Sequence, residues 1–202
     1  SKDNEAYITT LEEYQPKIDE LFEKGGKQIL LQGGMHPELG LDFYKHLFSR
    51  LKNYQPELKL HALGPPEIVH LAKMEQLSYA DVLKELIKSG LDSLPGAGAE
   101  ILCDEVRNQV SPAKANTKAW LDVMREAHKL GMITSATMMF GHVESKADRI
   151  RHLFEIKKVQ DEKPAGSTGF ISFIPWPFQD ENTVLQRKFG ISNTISSEEY
   201  IR

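Results

Sequence analysis

Five short apolar runs alternate with longer segments whose apolar residues recur at helical spacing, and this alternation constrains the fold more than any other feature. The runs occupy residues 28–32, 58–63, 91–94, 132–140 and 169–174. Between them, sets such as Leu11, Tyr14, Ile18, Leu21 and Phe22, or Leu41, Tyr44, Leu47, Phe48 and Leu51, repeat every three or four residues. That spacing places each set on one face of a helix. Helices are expected over residues 10–24, 40–54, 66–74, 78–89, 117–130 and 145–162, with another after Gly98 and a further start at Ser196. Thr10 and Glu13 are spaced as a capping box, and Gly25-Gly26 is a stop signal. Pro16 predicts a kink or a late start. Thr117 is the expected N-cap of its helix. Short strands alternating with helices give an α/β fold with a parallel sheet.

The unusual residues gather just after the strands. The first run ends in Gly33-Gly34-Met35-His36, the second in Gly64-Pro65-Pro66-Glu67, and the third in Gly96-Ala97-Gly98-Ala99-Glu100. The fourth ends in Gly141-His142-Val143-Glu144, and the fifth in Trp176-Pro177-Phe178-Gln179. Taken singly, each is open to a structural reading. Gly33-Gly34 suits a tight turn, His36 and His61 suit turn or strand-end histidines, and Glu100 suits a first-turn acid at a helix dipole. His142 with Glu144 is two-thirds of a metal site at most. Cys103, expected just inside a helix, reads as a small buried apolar residue. Taken together, they load one end of the sheet, where a (β/α) barrel carries its active site. No GxGxxG follows any strand, so the doubly wound dinucleotide-binding fold lacks its signature.

Bulk properties exclude several classes. The 202 residues carry a net charge of −4 and no run of Lys or Arg, which argues against a phosphate-backbone partner. No apolar stretch has the length to cross a bilayer, and no leader pattern is present, so a cytoplasmic protein is expected. The single cysteine forbids an intrachain disulfide and any multi-cysteine metal site built from this chain alone. The chain begins with Ser and reads as a fragment of a longer product.

The segments LLQGGMHPELGLDFY, HALGPPEIVHLAK, LDSLPGAGAEIL, ATMMFGHVE and FIPWPFQDENT closely resemble the radical S-adenosylmethionine enzymes of the futalosine route to menaquinone. The resemblance runs from about Tyr7 to Leu185. The Trp of FIPWPFQ and the Pro-Pro of HALGPPE point within that family to the cyclic dehypoxanthinylfutalosine synthases. The siblings are the aminofutalosine synthases and the deazaflavin (F420 precursor) synthases. The resemblance implies a partial (β/α)6 barrel over residues 1–185, here missing the first strand and its cluster loop, with residues 186–202 starting a C-terminal extension. It implies S-adenosylmethionine and a [4Fe–4S] cluster on a CxxxCxxC loop in the intact enzyme. Cys103 does not match that motif, so no metal ligand is expected in this chain.

The family's motifs carry over by position. Gly33 and Gly34 stand where the family's backbone meets the methionine amino end of the cosubstrate, with Met35 where many radical enzymes have Glu. His61 falls among the cofactor contacts. Thr137, Met139 and Gly141 match the segment along the adenosine; Gly96, Gly98 and Glu100 match the loop near the ribose or the substrate. Trp176, Phe178 and Gln179 are placed to close over an aromatic substrate. The implied reaction is cyclisation of dehypoxanthine futalosine after abstraction of its ribose C4′ hydrogen, with flavodoxin or ferredoxin as electron donor. Restoring aromaticity requires a base, for which His36, Glu67, Glu100 and His142 are the leading candidates. Alternatives are a sibling radical enzyme or a barrel fragment with no catalysis of its own. A barrel lacking a strand has an open sheet edge, so self-association is also expected.

Overall fold

The computed structural model describes residues 7–201, so residues 1–6 of the expected barrel domain and Arg202 lie outside the described residues. The elements follow in the order α1 (Leu11–Glu23), β1 (Gln28–Leu31), α2 (Leu41–Tyr54), β2 (Lys59–Ala62), α3 (Pro65–Glu75), α4 (Tyr79–Lys88), β3 (Leu91–Leu94) and α5 (Asp104–Val110). They continue with α6 (Thr117–Lys129), β4 (Ile133–Phe140), α7 (Lys146–Glu162), β5 (Gly169–Pro177), α8 (Val184–Phe189) and α9 (Ser197–Ile201).

The five strands form one parallel sheet in the order β1-β2-β3-β4-β5. Each strand therefore lies beside the next one in sequence, as in a (β/α) barrel; a doubly wound sheet reverses direction at a switch point. The covering of the sheet agrees. Leu60, Ala62, Leu94 and Ala136 are fully buried in a single cluster with Phe48, Leu51, Ile68, Leu83, Leu86, Trp120 and Met124 from the helices. The opposite face leaves Leu30, Ile133, Ile174 and Trp176 exposed. One face covered and one face open is a partial barrel, with the open face as its lumen.

Local signals account for most boundaries. Thr10 begins α1, where its backbone N–H donates to the Glu13 carboxylate at 2.7 Å. Pro16 lies within α1 instead of delaying it. Lacking an N–H, Pro16 leaves the Glu12 carbonyl without its i+4 donor, a helix-interior cost that the rest of the helix outweighs. Ser145 caps α7 through its side chain, which accepts from Asp148 N.

Four expectations are corrected. Asn116, not Thr117, caps α6, its Oδ1 accepting from the Ala119 amide at 2.9 Å. Cys103 is the N-cap of α5, not a residue inside it. β5 runs to Pro177 instead of ending at 174. It pairs with β4 on one side only, and an edge strand tolerates proline because its outer amides need no partner. Finally, α8 forms where loop was expected, capped by Thr183, whose Oγ1 accepts from Gln186 N at 3.1 Å.

No helix of the described residues is long and apolar enough to cross a membrane.

Candidate functional site

The C-terminal strand ends are held in place by contacts that local sequence would not reveal. The loop after β3 is the best fixed. Gly96 N–H donates to Ser135 Oγ at 3.1 Å, and Thr137 Oγ1 donates to Gly96 O at 2.6 Å, so two hydroxyls of β4 clasp the backbone of one glycine. A Cβ at Gly96 would lie 2.7 Å from Ala136 Cα and 2.8 Å from Ser135 C, which are backbone atoms that cannot yield. Behind the loop, Arg107 is 2% exposed. Its guanidinium donates to the carbonyls of Gly98, Ala99 and Ala115. Trp120 Nε1 adds a fourth tie, to Ala97 O at 3.0 Å. Glu100 takes a left-handed φ of 47°. Its carbonyl accepts from Met139 N at 2.7 Å, and its carboxylate pairs with Lys114. Strain of this kind persists only where surrounding contacts over-determine it.

Gly33 and Gly34 present the opposite case. Neither has a positive φ, and a Cβ at either would meet nothing within 4 Å. Nothing in the protein's own packing requires glycine there. An exposed backbone left bare beside a cavity is suited to close approach by a ligand. That cavity, of about 480 Å³, lies between α1, α2 and the loop after β1, lined among others by Tyr14, Tyr44, Phe48, Gly33, Gly34 and Leu63. His36 sits in the loop itself. Its Nδ1 accepts from Glu38 N at 3.1 Å, and its carbonyl contacts His70 Nε2 at 3.1 Å, which pins the loop to α3.

The glycine contrast makes a prediction. Gly33→Ala is expected to leave the melting temperature within about 2 °C of wild type, since surface changes free of clashes stay within ~0.5 kcal/mol. Gly96→Ala is expected to cost roughly 2 kcal/mol, as overpacking against rigid atoms does. Thermal melts of the two variants check this. Equal stability would show that the Gly96 contact is not rigid.

The remaining candidates differ in their surroundings. Glu67, at the third position of α3, is 8% exposed. Burial raises its pKa, partly offset by the backbone amides of Glu67 and Gly33. No cationic side chain lies within ion-pair distance of it among the described residues. His142 is enclosed: Val143 N donates to its Nδ1 at 2.8 Å, and Nε2 contacts Met139 O at 3.1 Å. Those two contacts suit a ring protonated at Nε2, while Nδ1 also lies 3.1 Å from Glu144 Oε2, a contact that a proton on Nδ1 would satisfy. Burial lowers the His142 pKa, against the opposing charge of Glu144. Glu144 is equally enclosed and accepts from the amides of Gly141 and His142 at 2.6 and 2.9 Å and from Arg149 Nε at 2.7 Å. Burial alone would raise the Glu144 pKa; those donors outweigh it and hold the carboxyl below its usual range. His142 and Glu144 thus fasten the turn after β4.

At the end of β5, Trp176 is 47% exposed on the lumen side, and Gln179 is exposed. Phe178 is 4% exposed and packs edge-on against His142 at 6.0 Å, so its ring is part of the wall, not of the open face. Ser93, Ser135 and Arg107 were not anticipated. Polar residues inside otherwise apolar strands were the available signal for the two serines.

A [4Fe–4S] cluster does not fit the described residues. Cys103 is the chain's one cysteine, and it is buried. No group of three or more His, Cys, Asp or Glu could hold a metal ion among the described residues. For S-adenosylmethionine, the fitting feature is the backbone of Gly33-Gly34, open beside the cavity.

With a partial parallel barrel and its strand-end loops in view, comparison with known proteins gives the class. Residues 1–156 match the model of the Radical SAM superfamily, and residues 167–202 match that of the CofH/MqnC C-terminal region. The chain belongs to the radical SAM superfamily, whose intact enzymes use S-adenosylmethionine with a 4Fe–4S cluster. Among curated relatives, it is 38% identical over 186 residues to the 5-amino-6-(D-ribitylamino)uracil–L-tyrosine 4-hydroxyphenyl transferase of Archaeoglobus fulgidus, covering 92% of this chain and 53% of the relative. It is 37% identical over 181 residues to transferase 1 of that name from Methanosarcina mazei, with 90% and 47% coverage. Transferase 2 of the same organism is 39% identical over 191 residues, with 95% and 49% coverage. The chain spans about half the length of the curated relatives it matches.

These relatives overturn the expected cyclisation of dehypoxanthine futalosine, and with it the menaquinone assignment. That expectation rested on the Pro-Pro that opens α3 and the Trp in β5, two short stretches at strand ends. The similarity to the transferases extends over nine-tenths of the chain or more. Strand-end loops vary between barrel enzymes that share a scaffold, so they are poor guides to the sibling when taken alone.

Proposed function

We propose that this chain is the barrel portion of a radical SAM transferase that acts on 5-amino-6-(D-ribitylamino)uracil and L-tyrosine and transfers a 4-hydroxyphenyl group, a step towards the F420 precursor. The single observation that carries this reading is the 37–39% identity to enzymes so named across at least 90% of the chain.

S-adenosylmethionine supplies the radical chemistry when bound. The chain's own residues hold and shield. The bare backbone of Gly33 and Gly34 receives the amino-acid end of the cosubstrate. Thr137, Met139 and Gly141 run along its nucleoside, and Gly96 and Gly98 hold the loop that borders it. Trp176 and Gln179 cover the substrate from β5, with Phe178 behind them as support. Of the acid–base candidates, Glu67 best suits a proton-transfer role, because burial brings its pKa up towards working pH. Glu100 is engaged with Lys114, His142 is enclosed, and His36 lies in the outer loop. A reduced flavodoxin or ferredoxin is the proposed electron donor. Residues 1–185 are the proposed barrel domain, and 186–202 open the next region. β1 pairs with β2 alone among the described residues, so self-association through its free edge is a further proposal, tested by gel filtration.

The test of the function uses the whole protein with its cluster reconstituted under nitrogen. Incubation with reductant, S-adenosylmethionine, the ribitylaminouracil and ring-labelled L-tyrosine is expected to give a product carrying the labelled ring. Absence of label transfer, with 5′-deoxyadenosine still formed, would reject the assigned substrates.

A further inference from the structure

Most polar groups on the strands are engaged with each other. His61 Nδ1 meets Ser93 Oγ at 2.7 Å, and Ser135 and Thr137 hold Gly96. Two charged groups at the strand ends are not engaged so fully. Lys114, between α5 and α6, reaches back to the loop after β3, where its ammonium pairs with the Glu100 carboxylate. An ammonium carries three donors, and this pair uses one. The Lys114 side chain stays 40% exposed, which leaves the other donors open.

Glu67 borders the same loop. A Cβ at Gly64 would lie 3.2 Å from Glu67 Oε2 and 3.1 Å from Ala97 Cβ, so any side chain there would crowd the carboxylate against the loop. Glu67 is buried, and its carboxylate has no side-chain partner among the described residues. A buried carboxylate without a counter-ion is costly, and a ligand that brings a cation relieves it. Lys114 does not supply that cation by contact, since it pairs with Glu100, yet its charge favours the ionised form of Glu67. The two groups therefore lie within electrostatic reach with a gap between them. A ligand matching an open ammonium and an unpaired carboxylate carries a carboxylate and an ammonium of its own. An α-amino acid holds both on one carbon.

We infer that Lys114 and Glu67 together seat an α-amino acid substrate, Lys114 holding its carboxylate and Glu67 its ammonium. Two ligands of the proposed reaction carry that group: L-tyrosine, and the methionine end of the cosubstrate. The backbone of Gly33 and Gly34 receives the methionine end, so the charged pair falls to L-tyrosine. This choice rests on the function proposed above. Bound in this way, the substrate ammonium sits against the carboxylate best suited to take its proton.

The test uses the whole protein with its cluster, under nitrogen, saturated with S-adenosylhomocysteine so that the methionine seat is filled. Calorimetry then follows L-tyrosine, tyramine, which lacks the carboxylate, and 3-(4-hydroxyphenyl)propionate, which lacks the ammonium. Lys114→Met is expected to weaken L-tyrosine and the propionate roughly 10-fold and to leave tyramine unchanged, as for loss of one hydrogen bond to a charged group. Lys114→Arg is expected to restore most of that affinity. Glu67→Gln is expected to weaken L-tyrosine and tyramine and to spare the propionate. Equal loss of all three ligands in both variants would assign the pair a structural role and overturn the inference. Binding of L-tyrosine only when S-adenosylhomocysteine is left out would place it in the cosubstrate's seat and overturn it too, as would no binding at all. Lys114-dependent binding of L-tyrosine, with no transfer of its ring to the ribitylaminouracil, would keep the inference and reject the proposed reaction. Ring transfer with L-tyrosine affinity indifferent to both variants would keep the reaction and overturn the inference.

Discussion

Replacing Arg107 with methionine is expected to lower stability by roughly 3–5 kcal/mol, because buried acceptors left without donors cost ~1–3 kcal/mol each. The guanidinium reaches three backbone carbonyls on two separate stretches, Gly98 and Ala99 on one and Ala115 on the other. Methionine fills much of the volume but donates to none of them. Water cannot readily replace the donors, since the residue is 2% exposed. For a chain of this size, the loss corresponds to a fall in melting temperature of about 10 °C. Arg107→Lys is expected to recover only part of it, because an ammonium is a point source and cannot fork to two stretches. The loop that Arg107 holds includes Gly98 and adjoins Gly96, so ligand affinity is expected to fall even where the variant remains folded. A methionine variant that melts within 2 °C of wild type would show that the carbonyls find other donors.

The second large effect is on acid stability. His128 and His152 are 1% and 0% exposed, and burial lowers the pKa of each from 6.5 to about 4. Both act as neutral hydrogen-bonding groups. His152 Nδ1 accepts from Leu102 N at 2.9 Å, and His128 Nε2 meets Thr134 Oγ1 at 2.8 Å. The unfolded chain protonates these rings near 6.5, and the folded chain resists until about 4. Between those values the unfolded state binds more protons, so stability is full above 6.5 and declines as pH falls towards 4. A shift of that size is worth on the order of 3 kcal/mol per ring at the foot of the window. Denaturant melts across pH 4–7 measure the slope. His152→Asn and His128→Gln retain the observed hydrogen-bonding atom without a comparable titration, and together they are expected to flatten it. An unchanged slope in the double variant would assign the acid sensitivity to other groups.

The architecture was legible in the sequence wherever a local signal sufficed. The run Leu91–Leu94 is a strand with the bounds expected of it, and Thr10 begins a helix as its spacing to an acid three residues on implies. The end of β5 was not legible, because two prolines forbid a central strand but not an edge strand, and edge position is a property of the whole sheet. Arg107 was hidden for a related reason. In DEVRNQV it looks like one more charge on a solvated helix, and only the packing of α5 against the β3 loop buries it. Which side of β2 and β3 faces the helices was hidden by length: four residues of each are too few to display the alternation. The superfamily was legible because its motifs sit at several strand ends at once. The sibling was misread because two of those ends outweighed the remainder of the chain.

The strand order has a consequence for how such a molecule comes into being. Every ladder in the sheet joins strands consecutive in sequence, with only one or two helices between them. As the chain emerges from a ribosome, each new strand finds its template already in place, with no later segment needed to close the pairing. Each closure spans only the intervening helical segment, so assembly can advance steadily from one end, adding one unit at a time. The growing tip always exposes one unpaired strand, and the arrival of the next unit is what shields it from other chains.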